Sequence, residues 1–266
     1  LFCEKNNVLM KTLIKEKPFV DVILPNYNKA EFLEESINSV TTQTYNNWKL
    51  IVIDDSSQDD SKKIINNYKS RNIKAIYLYK NKGVAFCRNL GIRLSDSKYI
   101  SFIDSDDCWS QYKLEEQILF MEKLNYEFTY TDYTPFVVKN NKKFFKKKII
   151  VPNSFTYDQF INNTSIGMSS VIIRRSIIGT TRFRKLKICE DYFFKCEILK
   201  KVSTAIKFNS NTMFYRISKN SLQSNKLRNL YWVWYINRNY NRLSFLKNLK
   251  SLMFIIINSI KKYGFK

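Results

Sequence analysis

Leu50-Ile-Val-Ile-Asp-Asp55 and Tyr99-Ile-Ser-Phe-Ile-Asp-Ser-Asp-Asp107 each run a short, β-branched and aromatic stretch straight into carboxylates. Stretches of that length and composition read as strands, so Asp54, Asp55, Asp104, Asp106 and Asp107 fall at strand C-terminal ends. Open α/β sheets place their ligands there. Acids gathered at one sheet edge repel one another unless something positive sits among them. The chain has no histidine, so a metal at this edge is held by oxygen ligands alone. That points to Mg2+ or Mn2+ and away from zinc. Divalent ions on strand-end carboxylates serve diphosphate chemistry.

Outward from these two stretches, strand and helix patterns alternate. Residues 20–24 read as a strand ended by Pro25, and 31–43 as a helix with Phe32, Ile37 and Val40 at helical spacing. A strand at 48–54 is followed by a helix over 59–70 opened by Ser and Asp caps, then a strand at 73–79. Residues 83–95 read as a helix and 98–104 as a strand. Such alternation predicts an α/β fold with a parallel sheet and helices on both faces. Beyond it, the pattern predicts a helix at 114–124, a strand at 126–132, and a hairpin of 137–138 with 144–151 turning at Asn140 and Asn141. Strands at 168–174 and 204–208 flank a helix at 190–201, with Arg174 and Arg175 bounding the first of them, and from Lys226 onward the pattern is helical.

Charge is uneven. The formal net charge is +22, but residues 1–110 carry 16 Lys and Arg against 14 Asp and Glu, leaving 29 against 9 for the rest. The basic character therefore lies in the second half, including six lysines between Lys139 and Lys148 that read as a solvated edge ribbon. Five cysteines without CxxC spacing read as free thiols in a reducing cytosol. Cys108 adjoins the acids, yet no histidine is present to activate it as a nucleophile. No signal peptide or spanning segment is readable, so the expected location is cytoplasmic.

Four segments in order carry a resemblance: Val20-Asp-Val-Ile-Leu-Pro-Asn-Tyr-Asn28, Leu50-Ile-Val-Ile-Asp-Asp-Ser-Ser57, Asn81-Lys-Gly-Val-Ala-Phe-Cys-Arg-Asn-Leu-Gly91 and Tyr99-Ile-Ser-Phe-Ile-Asp-Ser-Asp-Asp-Cys-Trp109. Together they resemble bacterial family 2 glycosyltransferases of the GT-A fold, of the lipopolysaccharide, O-antigen and capsule side-chain type. The resemblance implies a metal-dependent, inverting transfer from a UDP-linked sugar to a saccharide or lipid-linked saccharide acceptor. It implies a GT-A (Rossmann-like), mostly parallel sheet with a C-terminal helical segment. The chain then divides into an N-terminal extension (1–17), a catalytic domain (18–220) with a nucleotide-binding half (18–110) and an acceptor-side half (111–220), and basic amphipathic helices (221–266).

The same resemblance assigns residues. Pro25, Tyr27 and Asn28 line the base and ribose, with Tyr27 able to stack on a flat ring. Asp55 resembles the acid that accepts the uracil N3–H, with Asp54 the alternative. Arg88 reaches for a phosphate or forms a salt bridge to one of the acids. Asp104-Ser105-Asp106 fits the Asp-x-Asp signature that holds Mn2+ or Mg2+, with Asp106 the direct ligand and Asp104 on the ribose or a metal-bound water. Asp107 is expected to cap the next helix and Trp109 to pack under the loop. Of the pair Glu190-Asp191, Asp191 is preferred as the base that takes the acceptor proton, with Glu190 as the alternative. Ser165, Gly167 and Met168 belong to the acceptor-side segment. Arg216 and Lys219 stand in the closing segment (215–226) as candidates for the diphosphate contact, where some relatives carry a histidine that this chain lacks.

Two other classes compete. A nucleic-acid-binding basic protein is suggested by the charge, but the half with organised motifs is nearly neutral, so no nucleic-acid partner is expected. A nucleotidyltransferase would share the layering and the acids but calls for a Gly-rich basic loop, which Pro25-Asn-Tyr-Asn28 is not. In the tail, Leu246, Leu249, Met253, Ile256, Ile260 and Tyr263 recur at spacings of three and four beside Lys247, Lys250, Lys261 and Lys262, preceded by Tyr231, Trp232, Trp234 and Tyr235. Either this helix lies on an anionic inner leaflet, making the protein peripheral on the inner face of the cell membrane, or it packs its apolar face on the catalytic domain.

Overall fold

The computed structural model describes residues 19–68, 70–140, 142–217 and 225–263. The expected extension at 1–17, Asn141 of the hairpin turn and Lys219 with residues 218–224 of the closing segment lie outside them. Among the described residues ten strands form one sheet: β1 (Val20–Asn26), β2 (Trp48–Asp54), β3 (Ile73–Tyr77), β4 (Tyr99–Phe102), β5 (Cys108–Trp109), β6 (Phe128–Lys139), β7 (Lys142–Phe145), β8 (Ser154–Phe155), β9 (Ile172–Arg174) and β10 (Ala205–Arg216). The main helices are α1 (Ala30–Thr41), α2 (Ser61–Asn67), α3 (Val84–Leu94), α4 (Lys113–Leu124), α5 (Glu190–Leu199), α6 (Lys226–Asn239) and α7 (Phe245–Tyr263). One-turn helices stand at Tyr157–Phe160 and Arg175–Ile178.

The sheet order is β3-β2-β1-β4-β9-β6-β10-β5, with β7 on β6 and β8 on β10. The first four strands are parallel, in the order that right-handed crossovers through α1, α2 and α3 produce. Every residue of β1 and β4 is buried, and in β2 only Lys49 is partly open, so both faces of this half are covered. Gly91 permits that covering: a Cβ there would lie 2.5 Å from a methyl of Ile23, so α3 approaches β1 only because the position carries none. The second half is mixed. The long β6–β10 ladder is parallel, while β9 pairs antiparallel with both β4 and β6 and joins the halves.

Four expectations are corrected. β1 continues through Pro25 to Asn26: Ile23 gives its carbonyl to Ile103, and Pro25 turns its missing donor to the same side, where β4 has already ended at Phe102. The expected strand at 126–132 and the first hairpin arm are one twelve-residue strand, β6. Met168–Ser170 is a 3-10 turn, because the backbone N–H and hydroxyl of Ser170 both donate to the Gly167 carbonyl and divert it from a ladder. The strand expected at 204–208 runs on to Arg216, past irregular pairing at Phe208 to Met213. The hairpin itself is present, with Phe136 opposite Phe145 and Lys139 opposite Lys142. Four of the five cysteines fall in the described residues and all four are free.

Candidate active site

The site stands on the loops that leave β1, β2 and β4, facing the N-terminus of α5. Asp54 closes the floor. It is buried, and its carboxylate accepts from Asn26 Nδ2 (2.8 Å), from Ser57 Oγ (2.6 Å) and from the Ser57 amide (3.1 Å). The β1 loop is tied to the same turn. The Asn28 amide donates to Ser57 Oγ (2.9 Å), and Asn28 Oδ1 accepts from the Gln58 amide (2.7 Å). Asn28 has φ +49°, a left-handed conformation that asparagine tolerates. This leaves Tyr27, 45% exposed, projecting from the turn.

Asp55 is buried and shapes the start of α3. Its two oxygens accept from the amides of Lys82 (2.7 Å) and Gly83 (2.8 Å), and Gly83 has φ +88°, which glycine adopts at no steric cost. Asp54 thus secures the β1 and β2 turns to each other, while Asp55 fixes the turn where α3 begins.

Of the two expectations for Arg88, on α3, the structure shows the salt bridge to the acids, and the bridge is buried. The Arg88 side chain is 4% exposed and donates to Asp104 Oδ1 (2.6 Å) and Glu190 Oε1 (2.7 Å), over the Phe183 ring. Burial opposes the charge, but the two carboxylates and nearby Asp191 hold the guanidinium above its ordinary pKa. Arg88 therefore brings together the acids after β4 and those that open α5, residues far apart in the chain.

In the loop after β4 the acids divide by environment. Asp104 keeps a 38% exposed side chain, and its amide donates to Ser169 Oγ (3.0 Å). Ser105 is buried. Asp106, 24% exposed, accepts from Lys29 Nζ at 2.8 Å. Asp107 does not cap the following helix, whose N-cap is Tyr112. It is buried instead and accepts from Ser169 Oγ (2.6 Å) and from the Arg216 amide (3.2 Å). Burial, with Asp106 and Asp104 adding repulsion, pushes its carboxyl well above the ordinary range. Trp109 packs beneath the loop as expected, donating to the Ser169 carbonyl (2.8 Å).

The Glu190-Asp191 pair is split the same way. Glu190, 13% exposed and held by Arg88, is pushed up by burial; Arg88 opposes the shift and Asp191 adds to it. Asp191, 27% exposed, goes the other way. Burial raises its pKa, but Lys195 and then Arg88 outweigh that, and the carboxyl sits below its usual range. Lys195, 3% exposed and one turn on, donates to Asp191 Oδ2 (2.8 Å) and to the Ile166 carbonyl (2.7 Å). Asp191 is therefore ionised and partly open, and tied through Lys195 to the segment holding Ser165, Gly167 and Met168.

Two acceptor-side or closing assignments are corrected. Met168 is 5% exposed and packs in the core. Arg216 is locked: its Nε donates to the Asp106 carbonyl (2.9 Å), it pairs with Glu35, and it is sandwiched between Phe32 and Phe136. The guanidinium is thus 4% exposed, held between the two aromatic faces with Glu35 and the Asp106 carbonyl as partners. Gly167 is partly open, and Ser165 Oγ is buried without a protein partner.

Lys29 and Lys195 escaped the sequence reading, and Ser169, read only as part of the acceptor-side segment 164–170, proves to be a partner of the acids. Lys195 had a signal, the i,i+4 spacing from Asp191 on a predicted helix. Lys29 and Ser169 had none, since each meets its acids only across the fold.

Among the described residues no three His, Cys, Asp or Glu side chains converge as a cage. The donor set nonetheless fits Mg2+ or Mn2+, which takes one or two carboxylates and completes its shell with substrate phosphates and water. Asp106 and Asp104 supply hard oxygens at an open edge. A cleft of about 600 Å3 lies at the other end of β4 around Asp96, Lys98 and Arg174 and includes none of these acids.

A family model described as Glycosyl transferase family 2 matches residues 21–193. A relative from Escherichia coli, WfgD, named UDP-Glc:alpha-D-GlcNAc-diphosphoundecaprenol beta-1,3-glucosyltransferase, is 33% identical over 247 residues, covering 92% of this chain and 95% of its own length. Among solved structures, S. aureus TarS 1-349 in complex with UDP-GlcNAc superposes with a TM-score of 0.69 at 18% identity, over 91% of this chain and 73% of that one. The mannosyltransferase PcManGT from Pyrobaculum calidifontis, in complex with GDP-Man and Mn2+, gives a TM-score of 0.67 at 13% identity, over 95% of this chain and 77% of that one. Both likenesses concern the fold.

Proposed function

The chain belongs to glycosyl transferase family 2, and from that premise we propose that it moves a sugar, with inversion, from a UDP-linked donor to a hydroxyl of a lipid-linked saccharide in cell-surface polysaccharide or lipopolysaccharide synthesis. The donor and acceptor classes follow the name of WfgD and the ligand of TarS. The observation that carries the mechanism is the division of Glu190 and Asp191. One carboxylate is committed to Arg88, and the other is ionised and open.

Asp191 takes the proton from the acceptor hydroxyl as that oxygen attacks the anomeric carbon, and Lys195 orients the carboxylate. No covalent nucleophile is needed for inversion, since attack and departure occur on opposite faces of one carbon. Tyr27 stacks on the uracil from its exposed turn, while Asp55 accepts the N3–H with the lone pairs its two amide donors leave free. Pro25 and Asn28 shape the same edge, and Asp54 holds the turn between them.

Asp106, with Asp104, would hold Mn2+ or Mg2+, and that ion would offset the charge gathering on the departing UDP. Lys29 supplies a positive charge at the same acid. The acceptor side is formed by Ser165, Gly167 and the segment Lys195 anchors, and Lys219 is the candidate for the diphosphate contact. An enzyme with such an acceptor works in the cytoplasm at the inner face of the membrane. The test supplies UDP-sugars singly with a saccharide-diphosphate lipid and Mn2+, and reads the product's anomeric configuration by NMR. A product that retains the donor configuration, or no binding of UDP with Mn2+ present, refutes the reading.

A further inference from the structure

We infer that the outward face of α7 seats the protein on an anionic lipid surface. On an ordinary surface helix the apolar stripe faces the core and the polar stripe faces water. On α7 the inward stripe carries buried polar side chains beside Leu252 and Ile255, and a broad apolar stripe faces outward. Asn248 and Ser251 are fully buried, and they and Asn258 hydrogen-bond into the body: Asn248 Nδ2 to the Trp234 carbonyl (3.1 Å), Ser251 Oγ to the Ile161 carbonyl, and Asn258 Nδ2 to the Asn162 carbonyl (3.1 Å). Leu252 and Ile255 lie on this same side against the core.

The other side holds Leu246 (76% exposed), Leu249 (43%), Met253 (56%), Phe254 (43%), Ile256 (42%) and Ile257 (43%). At 100° per residue these six fall within one half of the helix circumference. The polar groups already engaged inward fix the helix orientation, so this face cannot roll onto the domain without breaking their bonds. The packing alternative for the tail therefore fails on its polar side.

The charge selects the occupant. Residues 221–266 hold nine Lys and Arg and no Asp or Glu. Lys250 lies over the Phe254 ring on the apolar face, Lys261 is exposed about three turns on, and Lys247 reaches Asp158 at the margin. A second copy would set lysines against lysines, in a chain of formal charge +22. A bilayer with anionic headgroups accepts the hydrocarbon between them and the ammonium groups at their level. No helix among the described residues is long and apolar enough to cross a membrane, so the helix lies in the interface. The inference rests on α7 alone and meets the proposed reaction only at its lipid-linked acceptor.

The test is co-sedimentation of the full chain with phosphatidylcholine vesicles, with and without phosphatidylglycerol, in the absence of any sugar nucleotide. Binding is expected only with phosphatidylglycerol, and weakening with salt. Leu249→Ser, Met253→Ser and Ile256→Ser together, at positions already open to solvent, should lower it roughly ten-fold or more with an unchanged melting temperature. Lys250→Glu with Lys261→Glu should bring it down to the neutral-vesicle level. Undiminished binding by the triple variant, or equal binding to both vesicle types, overturns the inference. So does a wild-type dimer in light scattering that the triple variant dissolves while neither protein sediments. Because no sugar nucleotide is present, failure here leaves the transferase reading to its own assay.

Discussion

Replacing Asp191 with Asn removes one negative charge and almost no volume. The structure separates the two effects expected. Asn Oδ1 can still accept from Lys195 Nζ, now 2.8 Å from the carboxylate, so the local geometry survives. The ion pair is lost, and Lys195 is 3% exposed, but Asp191 is 27% exposed and water can share the charge. The stability cost therefore falls below the roughly 3–5 kcal/mol of a fully buried broken pair, at about 1–2 kcal/mol. Transfer suffers more. Without a positioned base it should fall by about 10²–10⁴-fold, or roughly 3–5 kcal/mol of transition-state stabilisation. The assay is the initial rate of transfer at saturating donor, with UDP affinity by calorimetry and a melting curve as controls. Affinity should hold within about two-fold, since Asp191 touches acceptor rather than nucleotide in this mechanism. A companion variant tests the cause. Lys195 holds the Asp191 carboxyl below its usual range, so the base stays ionised across neutral pH and is lost only as pH falls through that depressed value. Lys195→Met should move the acid limb of the rate profile upward. If Asp191→Asn keeps transfer within about ten-fold of wild type, Asp191 is a helix-start acid only and Glu190 becomes the residue to test.

Asp106→Asn should abolish the Mn2+-dependent part of UDP affinity while leaving the melting temperature nearly unchanged, because Asp106 is open and its partner Lys29 is 33% exposed. Unchanged Mn2+-dependent affinity would remove it from the site. Gly91→Ala should destabilise the fold by about 1–3 kcal/mol in denaturant, since its Cβ would enter Ile23 and overpack α3 on β1; a neutral result would show that α3 can shift. Burial pushes the Lys113 ammonium down to about 7, from 10.5 in the unfolded chain, with its Nζ donating to Gln117 and the Ser170 carbonyl. Between those values the unfolded chain binds a proton that the folded one does not, so stability rises with pH. From pH 7 to 9 wild type should gain about 2 kcal/mol more than Lys113→Met, and equal gains would refute it.

Residues 19–104 were legible because local and global signals agree there. Each strand is a short apolar run, each helix has its own period, and parallel neighbours need only the short crossovers the pattern supplies. The second half was harder. β6 and β10 are long because they stabilise each other across about eighty residues, and no local signal marks where such a ladder ends. Met168–Ser170 looked like a strand by composition, yet the Ser170 hydroxyl donates to the Gly167 carbonyl of a turn.

The sequence by itself determined which chemistry the chain has to offer: carboxylates at strand ends, no histidine, and a Glu-Asp pair opening a helix. Residue type and strand position are local properties, and the chain states them directly. Only the tertiary structure decided what each charge does. Arg88 and Arg216 were both candidates for a phosphate contact, and folding places both on carboxylates. Lys29, Ser169 and Lys195 became partners of the acids only through contacts between distant elements or across a helix turn. The tail shows the same limit. Its period announced an amphipathic helix, but which stripe meets the body depended on carbonyls at Ile161, Asn162 and Trp234. A hydrogen bond's value depends on the burial of both its ends, and burial belongs to the folded chain rather than to the residue.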